Sequence, residues 1–303
     1  MPSSPFNPVS PQAQSISNLF ILVLIIGMVI LAIVTSLVIY ASIRYRSRPG
    51  EGEPPQTFGN RTLEISWTAA PALLLAVLLA FTIYTMQVAD PTVLASQEQP
   101  DLVIIAHQWW WEVHYPKTGV TTANEIHIPA GTRLLTRIES ADVIHDFWVP
   151  QLGRKMDAIP GHPNHIWLEA NTPGTYLGSC AEYCGLEHAW MRIRVIAQTQ
   201  DQFKAWEQEQ LQTPTLTGEA AVGKQLYMSM PCVNCHVDQP IGPDLTHFGS
   251  RETIGTGVLE NTPDNLAKWL RNPQAVKPGV HMPNLNLTDV EIKALVAYLE
   301  ASK

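Results

Sequence analysis

Four side chains with soft donor atoms lie within twelve consecutive residues of this chain, at Cys180, Cys184, His188 and Met191. Thiolate, imidazole and a weak axial thioether are the ligands that select copper in electron-transfer sites. Two cysteines at this spacing can also share their sulfurs between two metal ions. Upstream, His145 offers a second imidazole. The set therefore predicts two bridging sulfurs, one histidine for each copper, and weak axial ligands.

Three other interpretations of this motif compete with copper. A disulfide between Cys180 and Cys184 would form in an oxidising compartment. A zinc site could use the same cysteines and histidines, but methionine is a poor zinc ligand. A copper-chaperone motif would usually continue with proline where this chain has Gly185, and it would lack the clustered histidine and methionine. Copper is the interpretation that uses every residue of the motif.

A second cofactor motif lies near the C-terminus, where Cys232-Val233-Asn234-Cys235-His236 fits the covalent attachment of a c-type haem. Cys232 and Cys235 would each add to a haem vinyl group, and His236 would be an axial ligand. A zinc knuckle or a thioredoxin-like pair would need a context that the sequence lacks. Met282, followed by a proline, is the predicted second axial ligand, with His281 and His247 as rivals.

Two long uncharged segments near the N-terminus, at about 19–41 and 67–88, each reach the ~20 residues that cross a bilayer. The first is too long for a cleaved signal peptide, and no basic residue precedes it. Arginines lie between the segments and are absent before the first and just after the second. We therefore predict a helical hairpin with a cytoplasmic loop and both termini outside. The net charge of −8 argues against a nucleic-acid partner.

The rest of the chain divides by composition. Short alternating strands separated by Pro and Gly turns, over 101–197, predict a β-sandwich or barrel. Residues rich in Gln, Thr and Pro form a linker that contains a short amphipathic helix. The predicted divisions are an external segment at 1–18, the hairpin at 19–90, the β-domain at 101–197, the linker at 198–217 and the haem domain at 218–303.

These motifs together resemble subunit II of cytochrome c oxidase, in the form fused to a cytochrome c that occurs in caa-type oxidases. The resemblance implies a cupredoxin-like β-barrel followed by an all-α class I cytochrome c domain. In that family two cysteines bridge a binuclear copper A centre. The implied copper ligands are Cys180, Cys184, His145, His188, Met191 and the backbone carbonyl of Glu182, whose side chain would face a magnesium ion.

The resemblance also implies two further roles. Trp109 begins an aromatic run on the barrel surface and would be the point of electron entry to copper, although a core aromatic cluster is the alternative, above all for Trp111. Glu64, near the start of the second helix, matches the mouth of a proton channel into subunit I. An interfacial flanking carboxylate is the alternative for Glu64.

The implied function is electron delivery, from an external donor protein through the haem and the copper pair, to haem in subunit I. Subunit I, with haem and copper B, would reduce O₂ to water and pump protons, and subunit III would join the complex. The chain would lie in the inner cell membrane, in contact with lipid, with its copper and haem domains on the outer side. The rivals are a copper A nitric oxide reductase and a membrane-tethered electron carrier or copper chaperone.

Overall fold

A computed structural model describes residues 4–50, 52–53, 56–90, 99–237 and 241–303. By its internal contacts the chain divides into two units. One unit is Gln14–Val88. The other comprises Met1–Ala13 and Ala89–Lys303.

The first unit consists of most of two long apolar helices, α1 (Pro11–Arg44) and α2 (Arg61–Ala89). Their most apolar 18-residue windows have mean hydropathies of 3.1 and 2.1. Most of their large apolar side chains are exposed, as expected of helices whose surface faces lipid rather than a protein core. The predicted spans lie inside these two helices, and the prediction of two apolar helices of membrane-spanning length is confirmed.

Helix α1 begins eight residues before the predicted span because the chain is capped there. The Ser10 hydroxyl accepts a hydrogen bond from the backbone N–H of Ala13 at 3.0 Å, a typical N-cap. The preceding residues lie against the β-domain, since the N–H of Val9 donates to the carbonyl of Gln151 and the carbonyl of Val9 accepts from the N–H of Asn171, both at 2.8 Å.

The β-domain contains two five-stranded sheets in the orders β3-β2-β1-β5-β8 and β4-β10-β9-β6-β7. Most neighbours are antiparallel, and the pairs β1–β5 and β4–β10 are parallel. The strands are β1 (Leu102–His107), β2 (Trp110–Tyr115), β3 (Val120–Ala123), β4 (Glu125–Pro129), β5 (Leu134–Ser140), β6 (His145–Trp148), β7 (Met156–Ala158), β8 (Asn164–Leu168), β9 (Gly174–Cys180) and β10 (Arg192–Gln198).

One apolar core lies between the two sheets, built from alternate residues of the strands. Trp111 is fully buried there and packs edge-to-face on Phe147, with the ring centroids 5.6 Å apart. Between β4 and β5 the chain turns through Gly131, whose φ of 72° favours glycine. The architecture is cupredoxin-like, as predicted.

Helix α3 (Gln200–Gln210) occupies the first half of the predicted linker. Thr199 and Gln202 form a capping box that starts the helix. The helix packs on the β-domain, where the Trp206 indole stacks on the His127 imidazole with 4.2 Å between ring centroids. The connector outside the helices is therefore only the stretch between α3 and α4, residues 211–218, and Leu216 within it packs against the core of the domain that follows.

The C-terminal domain is mostly helical, with a separate core. Its elements are α4 (Glu219–Ser229), α5 (Cys232–His236), β11 (Thr253–Ile254), β12 (Leu259–Glu260), α6 (Pro263–Arg271), α7 (Pro273–Val276) and α8 (Asp289–Ala301). Helices α4 and α8 cross at Gly223, where an added Cβ would lie 2.0 Å from the carbonyl oxygen of Ala294. The crossing therefore requires glycine. The prediction of a helical cytochrome c fold is confirmed, and the short β11–β12 pair is an addition that the all-α prediction did not include.

Candidate copper and haem centres

Sheet register brings the distant His145 to the cysteine motif. Strand β9 ends at Cys180, and β6 begins at His145. The two strands pair so that Phe147 lies opposite Cys180. The loop from Cys180 to Met191 then joins β9 to β10, so the motif stands at one end of the sheet, just before the last strand, as the resemblance implies.

The predicted copper ligands converge in this loop. The Sγ atoms of Cys180 and Cys184 are 3.8 Å apart, and both thiols are free. Nδ1 of His145 is 3.9 Å from Sγ of Cys180, and Nδ1 of His188 is 3.7 Å from Sγ of Cys184. Each sulfur therefore faces one imidazole.

Two weaker donors complete the arrangement. Sδ of Met191, which is fully buried, is 3.9 Å from Sγ of Cys184. The carbonyl oxygen of Glu182 is 3.2 Å from Sγ of Cys180. The thioether and the carbonyl therefore lie next to different sulfurs, and the six predicted donors are brought together. The side chain of Glu182 is exposed.

The electrostatics of the paired thiols fit a bound cation. The hydrogen bond with Cys184, followed by that with His145, holds the pKa of Cys180 far below its usual range against the opposing effect of burial. The same interaction with Cys180, together with burial, raises the pKa of Cys184. The thiolate of Cys180 thus forms readily, and its negative charge opposes the ionisation of Cys184. A metal cation between them would remove that resistance, and thiolates are the metal-binding form of cysteine.

Asp142 orients the first histidine. Its Oδ1 is 2.8 Å from Nε2 of His145, so Nδ1 is left to face the sulfurs. Its Oδ2 accepts a hydrogen bond from the backbone N–H of Gln108 at 2.6 Å. Carboxylates that hold a ligating imidazole in this way fix its tautomer and its direction. Asp142 is not among the residues predicted from the sequence, although a carboxylate three residues before a predicted histidine ligand is a usable signal.

Trp109 touches the copper loop directly. Its indole Nε1–H donates to the carbonyl of Cys184 at 2.9 Å, and the side-chain amide of Gln108 donates to the same oxygen at 2.8 Å. The indole lies so close to Gly185 that a Cβ there would be 2.9 Å from the ring. Glycine at this position of the motif is thus explained by the tryptophan.

The predicted role of Trp109 in electron entry stays a prediction, and only 7% of the residue is exposed. The C-terminal domain covers it, and the imidazole of His281 lies 4.7 Å from the indole, centroid to centroid. Trp111, by contrast, is a core residue, as its alternative interpretation proposed.

A largely apolar cavity of ≈ 290 Å³ lies beside this contact. All four predicted haem residues line it, namely Cys232, Cys235, His236 and Met282. Further apolar lining comes from side chains that include Leu266, Trp269 and Leu295. A cavity with two thiols and an imidazole at its wall and apolar side chains around it fits a covalently attached haem.

His236 is set up to ligate iron. Its Nδ1 is 2.7 Å from the carbonyl oxygen of Pro243. Because a carbonyl oxygen can only accept a hydrogen bond, Nδ1 carries the proton, and Nε2 keeps the lone pair that can bind a metal. Burial lowers the pKa of His236, which favours the neutral imidazole that a metal requires. Gly242 makes room for the ring, since a Cβ there would be 2.7 Å from Cε1 of His236.

The rivals of Met282 as second axial ligand differ in their positions. His281 lines the same cavity as Met282, and its imidazole lies against the Trp109 indole with the two rings tilted by 51°. His247 is absent from the described residues that line the cavity. Met282 lines the cavity and packs against the core of the C-terminal domain. This placement favours Met282, which stays a prediction.

The copper-bearing and haem-bearing domains belong to one unit and share an interface. The Trp110 indole N–H donates to the carbonyl of Ile241 at 3.1 Å, and the Thr256 hydroxyl donates to the carbonyl of Trp109 at 3.1 Å. Nζ of Lys277 is 2.8 Å from Oε2 of Glu187. Burial lowers the pKa of Lys277 and raises that of Glu187, and each partner opposes the shift of the other.

Glu64 lies in the first turn of α2, where its Oε1 accepts a hydrogen bond from the backbone N–H of Asn60 at 3.2 Å. This is a helix-capping contact and suits the interfacial alternative as well as the proton-channel interpretation. The role of Glu64 stays a prediction.

Two apolar helices, a cupredoxin-like domain with a soft-donor loop, and a helical domain with a Cys-x-x-Cys-His motif define a membrane-anchored electron-transfer protein. Three family models match the chain: the transmembrane domain of cytochrome c oxidase subunit II over residues 6–87, its periplasmic domain over 118–198, and cytochrome c over 220–303.

Curated relatives agree with these models. Cytochrome c oxidase subunit 2 of Alkalihalophilus pseudofirmus is 37% identical, with 98% of this chain and 90% of that protein aligned. The subunit 2 of Bacillus sp. strain PS3 is 34% identical, with 86% and 80% aligned. The crystal structure of the periplasmic domain of subunit II (CoxB) from Bradyrhizobium japonicum is 31% identical, covers 37% of this chain and 94% of that one, and has a TM-score of 0.35.

The chain belongs to the cytochrome c oxidase subunit II family, in the form that carries its own cytochrome c domain. The predicted family, fold class and electron-entry role in a haem–copper oxidase are confirmed, and the nitric oxide reductase and chaperone alternatives are not favoured. The chain is membrane-anchored with its C-terminal domains outside, and it carries a copper A domain and a haem c domain.

The contact between Asp142 and His145 gives a testable prediction. Asp142→Asn removes the charge that holds the imidazole, so we expect copper affinity of the intact chain to fall by about 10- to 100-fold. Asp201→Asn, at an exposed position in the first turn of α3, is the matched control and should leave copper affinity unchanged. Competition with a copper chelator measures both. Equal affinity in Asp142→Asn and wild type would show that Asp142 does not orient the ligand.

Proposed function

We propose that this chain takes electrons from an external donor protein at its haem domain and delivers them from its copper domain to subunit I. The observation that carries the proposal is the position of Trp109. Its indole contacts His281 of the haem domain on one side and hydrogen-bonds the carbonyl of Cys184 on the other. When bound, haem and copper supply the one-electron redox chemistry.

The residues of the chain then have separate tasks. His236, held by the carbonyl of Pro243, and Met282 bind the haem iron, and Cys232 and Cys235 attach the haem. Cys180 and Cys184 would hold two copper ions, with one imidazole and one weak donor for each. His145 and the Glu182 carbonyl lie next to Sγ of Cys180, and His188 and Met191 lie next to Sγ of Cys184, which supports this assignment. The apolar lining of the cavity excludes water from the haem.

Several finer assignments belong to the same proposal. The exposed carboxylate of Glu182 binds magnesium at the boundary with subunit I, and subunit III joins the complex. The chain lies in the inner cell membrane. Its divisions are the external segment at 1–18, the hairpin at 19–90, the copper domain at 101–197, the linker at 198–217 and the haem domain at 218–303. In the first half of that linker, helix α3 packs on the copper domain through the stacking of Trp206 on His127.

Two bridging thiolates predict one unpaired electron shared between two coppers in the oxidised state. The intact chain should bind two copper ions in addition to haem, and its electron paramagnetic resonance should show coupling to two equivalent nuclei. Cys184→Ser should abolish this signal. Met191→Leu should keep the pair but shift its potential, because an axial ligand tunes it. Met156→Leu, outside the loop, is the control. A native four-line mononuclear signal would refute the copper pair.

Covalent haem attachment through Cys232 and Cys235 predicts that haem stays with the chain during denaturing electrophoresis. Met282→Ala should remove the sulfur-to-iron absorption band in the red while leaving attachment intact. Met228→Ala is the matched control, because Met228 is exposed. If the band persists in Met282→Ala, a different residue is the axial ligand.

Glu64 provides the test of proton entry. If Glu64 passes protons inward, Glu64→Ala should slow turnover several-fold while the copper and haem spectra stay normal. Glu53→Ala, an exposed carboxylate in the loop between the helices, should not. Stopped-flow reduction of the intact complex would place the defect after electron entry. Normal turnover in Glu64→Ala would make Glu64 an interfacial flank.

A further inference from the structure

A buried ion pair joins the haem domain to the copper loop. Lys277 follows α7 in the haem domain, and Glu187 immediately precedes the copper ligand His188. Nζ of Lys277 is 2.8 Å from Oε2 of Glu187, and each residue is only 1% exposed. Neither carboxylate oxygen has a further hydrogen-bond donor among the described residues.

Such a pair adds little net affinity, because removing two charges from water costs about as much as their attraction returns. Its effect is on specificity. If the domains met in another orientation, one charge would be buried without its partner, which is strongly unfavourable. The 2.8 Å ion pair of Arg194 and Glu252 across the same interface is more exposed.

The same lysine also faces the residue that connects the two centres. Nζ of Lys277 is 3.5 Å from the carbonyl oxygen of Trp109, and the Thr256 hydroxyl donates to that oxygen at 3.1 Å. Two residues of the haem domain therefore hold the backbone of Trp109, while its indole holds the carbonyl of Cys184.

We infer that Lys277 and Glu187 form a latch that fixes one orientation of the haem domain on the copper domain, and that Lys277 is a positioning residue for electron transfer between them. The role in electron transfer rests on the proposed function. The latch itself concerns only how the two domains bind each other.

The binding test uses the intact oxidase with a protease site inserted at Pro214, in the connector. After cleavage, the wild-type haem domain should stay with the complex in gel filtration at micromolar concentration. Lys277→Met leaves the Glu187 carboxylate buried alone, so we expect at least tenfold weaker retention. Lys277→Arg keeps the charge and should retain the domain better than Lys277→Met.

Lys293→Met is the matched control. Lys293 makes a 3.1 Å ion pair with Glu219 inside the haem domain, but both partners are exposed, and retention should equal that of wild type. The double variant Lys277→Met and Glu187→Met replaces the pair by two apolar side chains and should recover most of the retention that either single variant loses.

The second readout is the rate of electron transfer from haem to copper in the uncut complex after flash reduction. It should fall at least tenfold in Lys277→Met, with both absorption spectra unchanged. Release of the wild-type haem domain after cleavage, equal retention in Lys277→Met and wild type, or a double variant as weak as the single ones would each overturn the latch. Wild-type retention without electron transfer would instead refute the proposed function and leave the latch standing.

Discussion

Two buried thiols that face each other across 3.8 Å resist carrying two negative charges unless a cation neutralises them. The surrounding structure meets this constraint. The β6–β9 register supplies one imidazole, and the loop before β10 supplies the other. Asp142 turns the imidazole of His145 toward the sulfurs. Trp111 of the core packs behind this imidazole, with 6.1 Å between the two ring centroids. The sandwich is thus a frame that holds charged donors together at close range.

The second constraint is distance between the centres. Electron transfer requires the haem and the copper loop to lie close together. Several contacts of the interface lie around Trp109, whose indole contacts His281 of the haem domain and hydrogen-bonds the carbonyl of Cys184. Because most of these contacts involve backbone carbonyls, the interface depends on the shape of the loops as much as on side-chain identity.

Local patterns predicted most of the site, and tertiary contacts account for what was missed. The spacing of Cys180, Cys184, His188 and Met191 predicts copper chemistry without any knowledge of the fold, and the motif from Cys232 to His236 predicts haem attachment in the same way. The start of α1 was missed because a cap at Ser10 extends the helix beyond its apolar stretch. The burial of Trp109, and the pairing of Lys277 with Glu187, depend on how two domains meet, which no local pattern in either domain encodes.

The short connector has a consequence for how oxidases behave when crowded in a membrane. With α3 packed on the copper domain, the connector to the haem domain is only residues 211–218, and a fully extended stretch of that length reaches roughly 30 Å. A haem domain that leaves its place therefore cannot explore far before it returns. Each oxidase then has its own haem domain as electron carrier, so neighbouring complexes would not compete for a shared carrier at this step. The rate of electron transfer from haem to copper in one complex would not depend on the turnover of its neighbours.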